Sequence, residues 1–312
     1  DPYFFGSVVL AVSGDNEIAA EEAFIQTTAL PDGWKIKAGR FFSGLGYLNE
    51  QHAHTWDFMD APLAYQGMVG GQYAQEGVQA KWLAPTDQFI ELGVEAGNGS
   101  RFPGTSRNRN GSGSAAVFAH TGGDLGNSHA WRAGASYLHT KAQDRAWTAP
   151  QDDSLNHAFT GTSKLWVLDG VWKWAPNGNA TQTNLKLQGE YFRRAENGTA
   201  VFDVDSAANA DAYRTAQSGW YVQGVYQFAP RWRAGMRFDQ LSSGTIEAGS
   251  NTALVEAPSK PKRTSVMLDW SLSEFSKIRM QYSHDQSRVD TGDRQLFVQY
   301  QMSLGAHGAH SY

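Results

Sequence analysis

Gln88-Phe89-Ile90-Glu91-Leu92-Gly93-Val94-Glu95-Ala96 alternates strictly, with Ile90, Leu92, Val94 and Ala96 on one side of an extended chain and Glu91, Gly93 and Glu95 on the other. Burying the second face in a soluble sandwich core would leave its carboxylates without partners, so that face requires water. The same division recurs at 231–238, where Trp232, Ala234, Met236 and Phe238 oppose Arg231, Arg233 and Arg237. It recurs again at 184–191, where Leu185, Leu187, Gly189 and Tyr191 oppose Asn184, Lys186, Gln188 and Glu190. A strand with an apolar face and a wet polar face suits the wall of a water-filled transmembrane barrel.

Working outward, the period-two reading predicts about fourteen strands of near membrane-spanning length, at 3–12, 18–29, 34–42, 72–84, 88–98, 113–121, 128–141, 163–175, 181–195, 212–228, 231–241, 262–272, 276–286 and 293–304. The connections alternate. Pro31-Asp32-Gly33, Pro85-Thr86-Asp87, Pro176-Asn177-Gly178, Pro230 and Ser273-Glu274-Phe275 read as tight turns, whereas 43–71, 99–112, 142–162, 196–211 and 242–261 read as long polar loops. Short turns on one rim and long loops on the other imply an all-β, antiparallel, up-and-down transmembrane barrel, one domain over 1–312. A soluble all-β fold has no reason to segregate loop lengths in this way.

Composition agrees. The 312 residues include 33 Gly and 11 Trp, yet only 18% are charged and no apolar run approaches the length of a membrane helix. The net charge of −5, without a basic block, excludes nucleic acid as a partner. Zero cysteines exclude a disulfide framework and thiolate metal sites. The chain opens at Asp1-Pro2, as expected of one whose signal peptide has been removed. Aromatic residues gather at strand ends: Tyr3, Phe4, Phe5, Trp34, Trp174, Phe228 and Trp232 near short turns, and Phe41, Phe42, Tyr191, Phe192 and Phe238 near long loops. Two such girdles are expected at the two lipid interfaces. The last strand, extended, reaches a terminal aromatic, Tyr312.

The run Ala38-Gly39-Arg40-Phe41-Phe42, followed by residues 44–63 (GLGYLNEQHAHTWDFMDAPL), resembles the third-strand and long-loop region of the phosphate-selective porin O/P-like superfamily. It is most similar to the branch labelled zinc-regulated outer-membrane receptor, as are Ala84-Pro85-Thr86-Asp87, Trp131-Arg132-Ala133-Gly134 and the tail 303–310. The resemblance implies a Gram-negative outer-membrane location, lipid and lipopolysaccharide as surroundings, a trimer, and 16 strands, two of which either lie upstream of Asp1 or fall outside the legible register. Against a phosphate filter, no dense ladder of Arg and Lys is visible and the long loop is acidic. No plug or energy-coupling segment precedes the first strand, so active uptake has no support.

The expected activity is passive diffusion of small polar or ionic solutes, in which lumen side chains set a width and a field without bond chemistry. Segment 43–71 is the candidate for an inward loop, because Leu45, Tyr47, Leu48, Trp56, Phe58 and Leu63 need a surface to pack on. Folded inward, Glu50, Asp57 and Asp60 would face a wall of Arg231, Arg233, Arg237 and Arg279, with Glu91 and Glu95 tipping the balance mildly toward cations. An outer lid and an oligomer-contact loop are the alternatives. No resident cofactor is expected, but His52 and His54 project to one side of an extended segment beside Glu50 and Asp57, a donor set that Zn²⁺ accepts weakly. His307 and His310 form a second, looser pair. A metal receptor and a scaffold docking another envelope complex are therefore the competing functions. Ser283-His284-Asp285 has no nucleophile-elbow spacing, and no enzyme is expected.

Overall fold

Period-two alternation becomes strand throughout. The computed structural model describes residues 2–12, 15, 17–107, 110–149, 152–255, 259–288 and 291–304. It contains β1 (Phe4–Val12), β2 (Ile18–Thr27), β3 (Trp34–Phe42), β4 (Ala74–Leu83), β5 (Phe89–Gly97), β6 (Ser114–Leu125), β7 (His129–Ala149) and β8 (Asp152–Trp174). They are followed by β9 (Asn184–Phe202), β10 (Asn209–Ala229), β11 (Trp232–Leu241), β12 (Thr245–Glu247), β13 (Lys262–Ser273), β14 (Ser276–Gln286) and β15 (Asp293–Met302). Among the described residues one α-helix, α1 (Leu63–Val69), lies between β3 and β4. Each long strand pairs antiparallel with its sequence neighbour from β1 to β15, and only β12 leaves the path, adding to β10.

The register puts the apolar parity outside. Leu92 and Val94 are 44% and 53% exposed, whereas Glu95, on the opposite face, is 4% exposed. Trp166, Leu168, Val222, Met236, Phe238 and Met280 are exposed in the same way, and Gln79, Glu190, Gln223, Arg237, Asp269 and Arg279 are buried. That distribution is the reverse of a soluble protein and is stable only where hydrocarbon bathes the outside.

Two aromatic levels bound the outer face. Trp34 and Trp82, Trp131 and Trp172, and Trp232 and Trp270 are cross-strand partners at the short-turn end, the last pair stacked at 5.7 Å. Six residues along those strands stand Tyr137 and Trp166, with ring centroids 4.5 Å apart, and Phe238, joined by Tyr191 and Trp220 on β9 and β10. Phe41, Phe42 and Phe192, expected in that outer girdle, are instead buried. Phe192 has inward parity and meets Tyr65, while Phe42 ends β3 against the His52 ring.

The expected loops 142–162 and 196–211 are mostly strand, because β7 to β10 continue past the membrane as long hairpins. Outside hydrocarbon both faces meet water or other loops, so apolar alternation disappears from the sequence while the ladder persists. Trp147, Phe202, Tyr213 and Ile246 pack there around Ala200, Ala248 and Leu254. His307, His310 and Tyr312 lie outside the described residues.

Candidate functional site: the segment between β3 and β4

Residues 43–71 run along the polar face of the sheet. Glu95 on β5 accepts hydrogen bonds from Ser43 Oγ at 2.6 Å and the Gly44 amide at 2.9 Å. Glu190 on β9 then accepts from the Tyr47 and Leu48 amides at 3.2 and 3.0 Å, and from the Tyr65 and Tyr221 hydroxyls at 2.9 and 2.6 Å. Four donors on one buried carboxylate leave it little unmet hydrogen-bonding capacity. Gly46 makes the approach possible: it has φ 69°, and a Cβ there would collide with Glu190 Oε2.

The apolar residues pack as a unit. Leu45, Leu48, Trp56, Leu63, Tyr65 and Met68 form one buried cluster with Leu138, Leu165, Val167, Phe192 and Tyr221 of β7 to β10. Helix α1 begins with the Leu63 amide donating to Asp239 at 2.9 Å and ends at Gly70 in the left-handed region. Arg194 donates to the Gly67 and Met68 carbonyls at 2.9 and 3.1 Å, neutralising two otherwise orphaned acceptors of the last turn.

Between these anchors lies an exchange of charge. Asp57 meets Lys186 at 2.6 Å and Arg233 at 3.2 Å, and Asp60 meets Arg237 at 3.0 Å and Arg263 at 2.8 Å. Arg279 holds Asp269 at 2.7 Å and the Trp56 carbonyl at 2.8 Å. Glu50 pairs with Lys81, which also lies 3.5 Å from Glu91, and Glu91 meets His120 at 3.1 Å. Burial alone would raise Asp57, but Lys186 and Arg233 overcome it and hold the carboxyl well below the usual range. Burial is likewise outweighed at Asp60 by Arg237 and Arg263, and at Glu50 by Lys81, so both are lowered.

Several of the residues singled out in the sequence sit differently from the arrangement expected of them. Arg231 does not join the wall: it closes the β10–β11 turn with φ 69°, is exposed, and donates to the Leu272 carbonyl at 3.3 Å. A residue with left-handed backbone at a turn has left the strand's alternation, so parity did not apply to it. Glu91 lies against Lys81 and His120, and Glu95 is buried beneath the amide and hydroxyl donors of residues 43–44 and Gln79, which satisfy its hydrogen bonds without cancelling its charge. Glu50 and Asp57 are likewise committed to cations and do not join the histidines. His52 lies between Glu22 at 3.0 Å and Glu21 at 3.4 Å and stacks on His54, with ring centroids 5.5 Å apart. The hydrogen bond to Glu22 raises the His52 pKa against its partial burial.

Lys186 and Glu190 were read on the polar face of their strand but not as site residues, and Lys81, Arg263 and Asp269 were not singled out, although the parity of their strands would have placed them on the polar face. A cavity of about 1050 Å³ opens between this segment and the short-turn rim. Its lining includes Lys81, Arg132, Lys173, Lys186, Arg233 and Lys277, with Glu50, Asp57 and Glu91 as the carboxylates away from the turns. Asp124 and Glu274 stand at the turns themselves. Arg132, Lys173 and Lys277 form no ion pair among the described residues, and the Arg132 guanidinium lies 5.2 Å from the Tyr47 ring centroid.

Known proteins of similar sequence and shape agree with this architecture. An uncharacterized protein of Aquifex aeolicus is 29% identical over 332 residues, a match that spans all of this chain and 67% of the relative. The outer-membrane channel DcaP of Acinetobacter baumannii superposes with a TM-score of 0.58 at 12% identity, over 96% of this chain and 80% of that one. The trimer form of in-vitro folded OmpT, an outer membrane protein of Vibrio cholerae, gives 0.53 at 11% identity, over 93% and 75% of the two chains. The fold is an outer-membrane barrel fold, and the location is the Gram-negative outer membrane. Residues 6–245 match the family model of phosphate-selective porin O and P, and the chain belongs to that family.

Proposed function

We propose that this porin is a passive channel whose pathway is narrowed by residues 43–71 and prefers small anions weakly. The observation that carries this reading is the imbalance in the cavity below that segment. Its carboxylates Glu50 and Glu91 share Lys81 and Asp57 meets Lys186 and Arg233, whereas Arg132, Lys173 and Lys277 are left without ion pairs among the described residues. Uncompensated cations in a narrow, low-dielectric passage raise the local concentration of anions. Because binding must be weak enough for exit, scattered lysines suit conduction better than a tight clamp. The preference therefore tilts opposite to the one drawn from Glu91 and Glu95 in the sequence.

The test is the reversal potential of single channels in planar bilayers under a salt gradient. Anion preference is expected in the wild type, and Arg132→Gln with Lys173→Gln and Lys277→Gln should lower the anion-to-cation permeability ratio by about twofold to fivefold. An unchanged ratio in the folded triple variant would remove these residues from the pathway, and absence of conductance would favour a docking scaffold. Zinc reception, the competing reading, requires the metal to displace the ring proton of His52 that Glu22 and Glu21 now hold. Assembly as a homo-oligomer, of which a trimer is the form the resemblance implies, completes the proposal; its support is the barrel fold shared with a trimeric outer membrane protein.

A further inference from the structure

On β7 to β9 a group of cations stands on the outer face, next to the external aromatic girdle. Tyr137 pairs with Trp166 and Trp166 with Arg193; further out His139 pairs with Lys164, and Lys141 with Thr162. Lys141, Lys164 and Arg193 are exposed and alternate with the buried Thr140, Ser163 and Phe192, so they share the outward parity of Trp166 and Leu168. Lys164 is central: opposite His139 and diagonal to both Lys141 and Arg193, at separations of about 7–8 Å for such neighbours.

No counter-charge accompanies them. Lys141, Lys164 and Arg193 form no ion pair or side-chain hydrogen bond among the described residues. Their outward cross-strand partners are Trp166, Thr162, Ala195 and Ser218. The first outward carboxylate beyond them, Asp144 at the β7 bulge, accepts from Thr160 Oγ1 at 3.0 Å. Like charges gathered on one sheet face without an anion oppose folding. Other outward cations differ. Arg40 on β3 gives Nε to Glu76 at 2.8 Å, and Lys262 and Arg294 stand two strands apart, opposite Gln286 and His284. At the short-turn end of β7 to β10 the outward positions are Trp131, Trp172, Leu187 and Tyr226, without charge.

The levels are ordered as an amphiphile would need them. Leu168, 56% exposed, lies in the hydrocarbon; Tyr137 and Trp166 follow, with ring centroids 4.5 Å apart; then come the cations, and beyond them Thr160, Thr162 and Asn197. We infer that this face binds lipopolysaccharide, with the lipid A phosphates on Lys141, Lys164 and Arg193, the acyl chains along Leu168 and the core sugars against the hydroxyl and amide row. A free phosphate would leave the aromatic and aliphatic levels unused. A phospholipid brings a single phosphate to three cations, whereas lipid A brings phosphates on a rigid sugar pair that rings can cover. The site lies on the outside of the wall and is independent of the channel reading.

The full chain, folded in detergent without lipopolysaccharide, tests this by titration with purified rough lipopolysaccharide and native mass readout. Wild type is expected to retain the lipid, and Lys141→Gln with Lys164→Gln and Arg193→Gln to weaken binding by about tenfold or more. Single-channel conductance shows that the variant is folded. Lys262→Gln with Arg294→Gln should stay within about twofold of wild type, because it removes the same kind of charge from another part of the rim. Unchanged binding in the folded triple variant, or an equal loss in the control, would overturn the site. Lipopolysaccharide stripped of its lipid A phosphates should bind as weakly to wild type as the intact lipid binds to the triple variant. Equal binding of the stripped lipid would assign the affinity to the acyl chains and overturn the phosphate contact. Inorganic phosphate at millimolar concentration should not displace the lipid; displacement would make this a free-phosphate site instead.

Discussion

His52 is the residue at which proton binding and metal binding compete. Its hydrogen bond to Glu22 raises its pKa in the folded state. A group so raised contributes stability fully present below its unfolded value of about 6.5 and lost as pH rises through the folded value. The link from segment 43–71 to β2 should therefore be firm in mild acid and fade above neutrality. Asp57 and Asp60 have the opposite sign: their lowered values mean that their contribution is lost only in strong acid. Hydrogen exchange of the amides around 50–56 should accelerate from pH 5.5 to 8.5 in the wild type, after correction for intrinsic exchange. His52→Ala should remove that dependence; a variant that retains it assigns the effect to another group. Zinc must displace the same proton, so weak binding that disappears below neutrality is expected. Calorimetry showing tight, stoichiometric zinc lost in the His52→Ala, His54→Ala double variant would restore the receptor reading.

At the scale of one strand, the register shows how deep each outward residue lies. Leu92 is the partner of Trp82 and so stands at the short-turn girdle, whereas Val94 pairs with Ala80 and Val117, nearer the middle of the wall. An Arg at the bilayer midplane costs about 2–4 kcal/mol in such barrels and about 0–1 near the interfaces. Val94→Arg should accordingly destabilise refolding into liposomes far more than Leu92→Arg. Equal penalties would shift the register of the whole wall. This depth was not legible in the sequence, where Leu92 and Val94 are equivalent members of one alternating face. The strands themselves were legible because hydrocarbon enforces alternation. Beyond the membrane that enforcement stops, and the outer halves of β7 to β10 read as loops. Turn geometry interrupts parity as well, which is why Arg231 was placed on a wall it does not join. The partners within the polar network were illegible for a third reason. Tyr47 and Glu190, or Trp56 and Arg279, are brought together by the curvature of the sheet across 143 and 223 positions, which no local pattern encodes.

For the molecule as a whole, the question is whether the barrel depends on segment 43–71 or merely contains it. Arg237 holds Asp239 at 2.9 Å and Arg279 holds Asp269 at 2.7 Å within the wall, independently of the segment. Removing the segment would expose those pairs to lumen water, which solvates them, and would not strand them in a dry core. The apolar wall residues Leu138, Leu165 and Phe192 would be wetted, a cost spread over a barrel whose backbone ladder is untouched. Closure is simple, since the Ser43 amide donates to the Tyr73 carbonyl at 3.1 Å and a short glycine turn can join the two ends. The deletion should therefore fold. If the segment narrows the pathway, single-channel conductance should rise by about twofold or more, while the loss of Glu50 and Asp57 frees Lys81, Lys186 and Arg233, so that anion preference should persist in the wider pathway. A correctly folded deletion with unchanged conductance would place the segment outside the route taken by ions, and the selectivity proposed for Arg132, Lys173 and Lys277 would then lose its narrow passage.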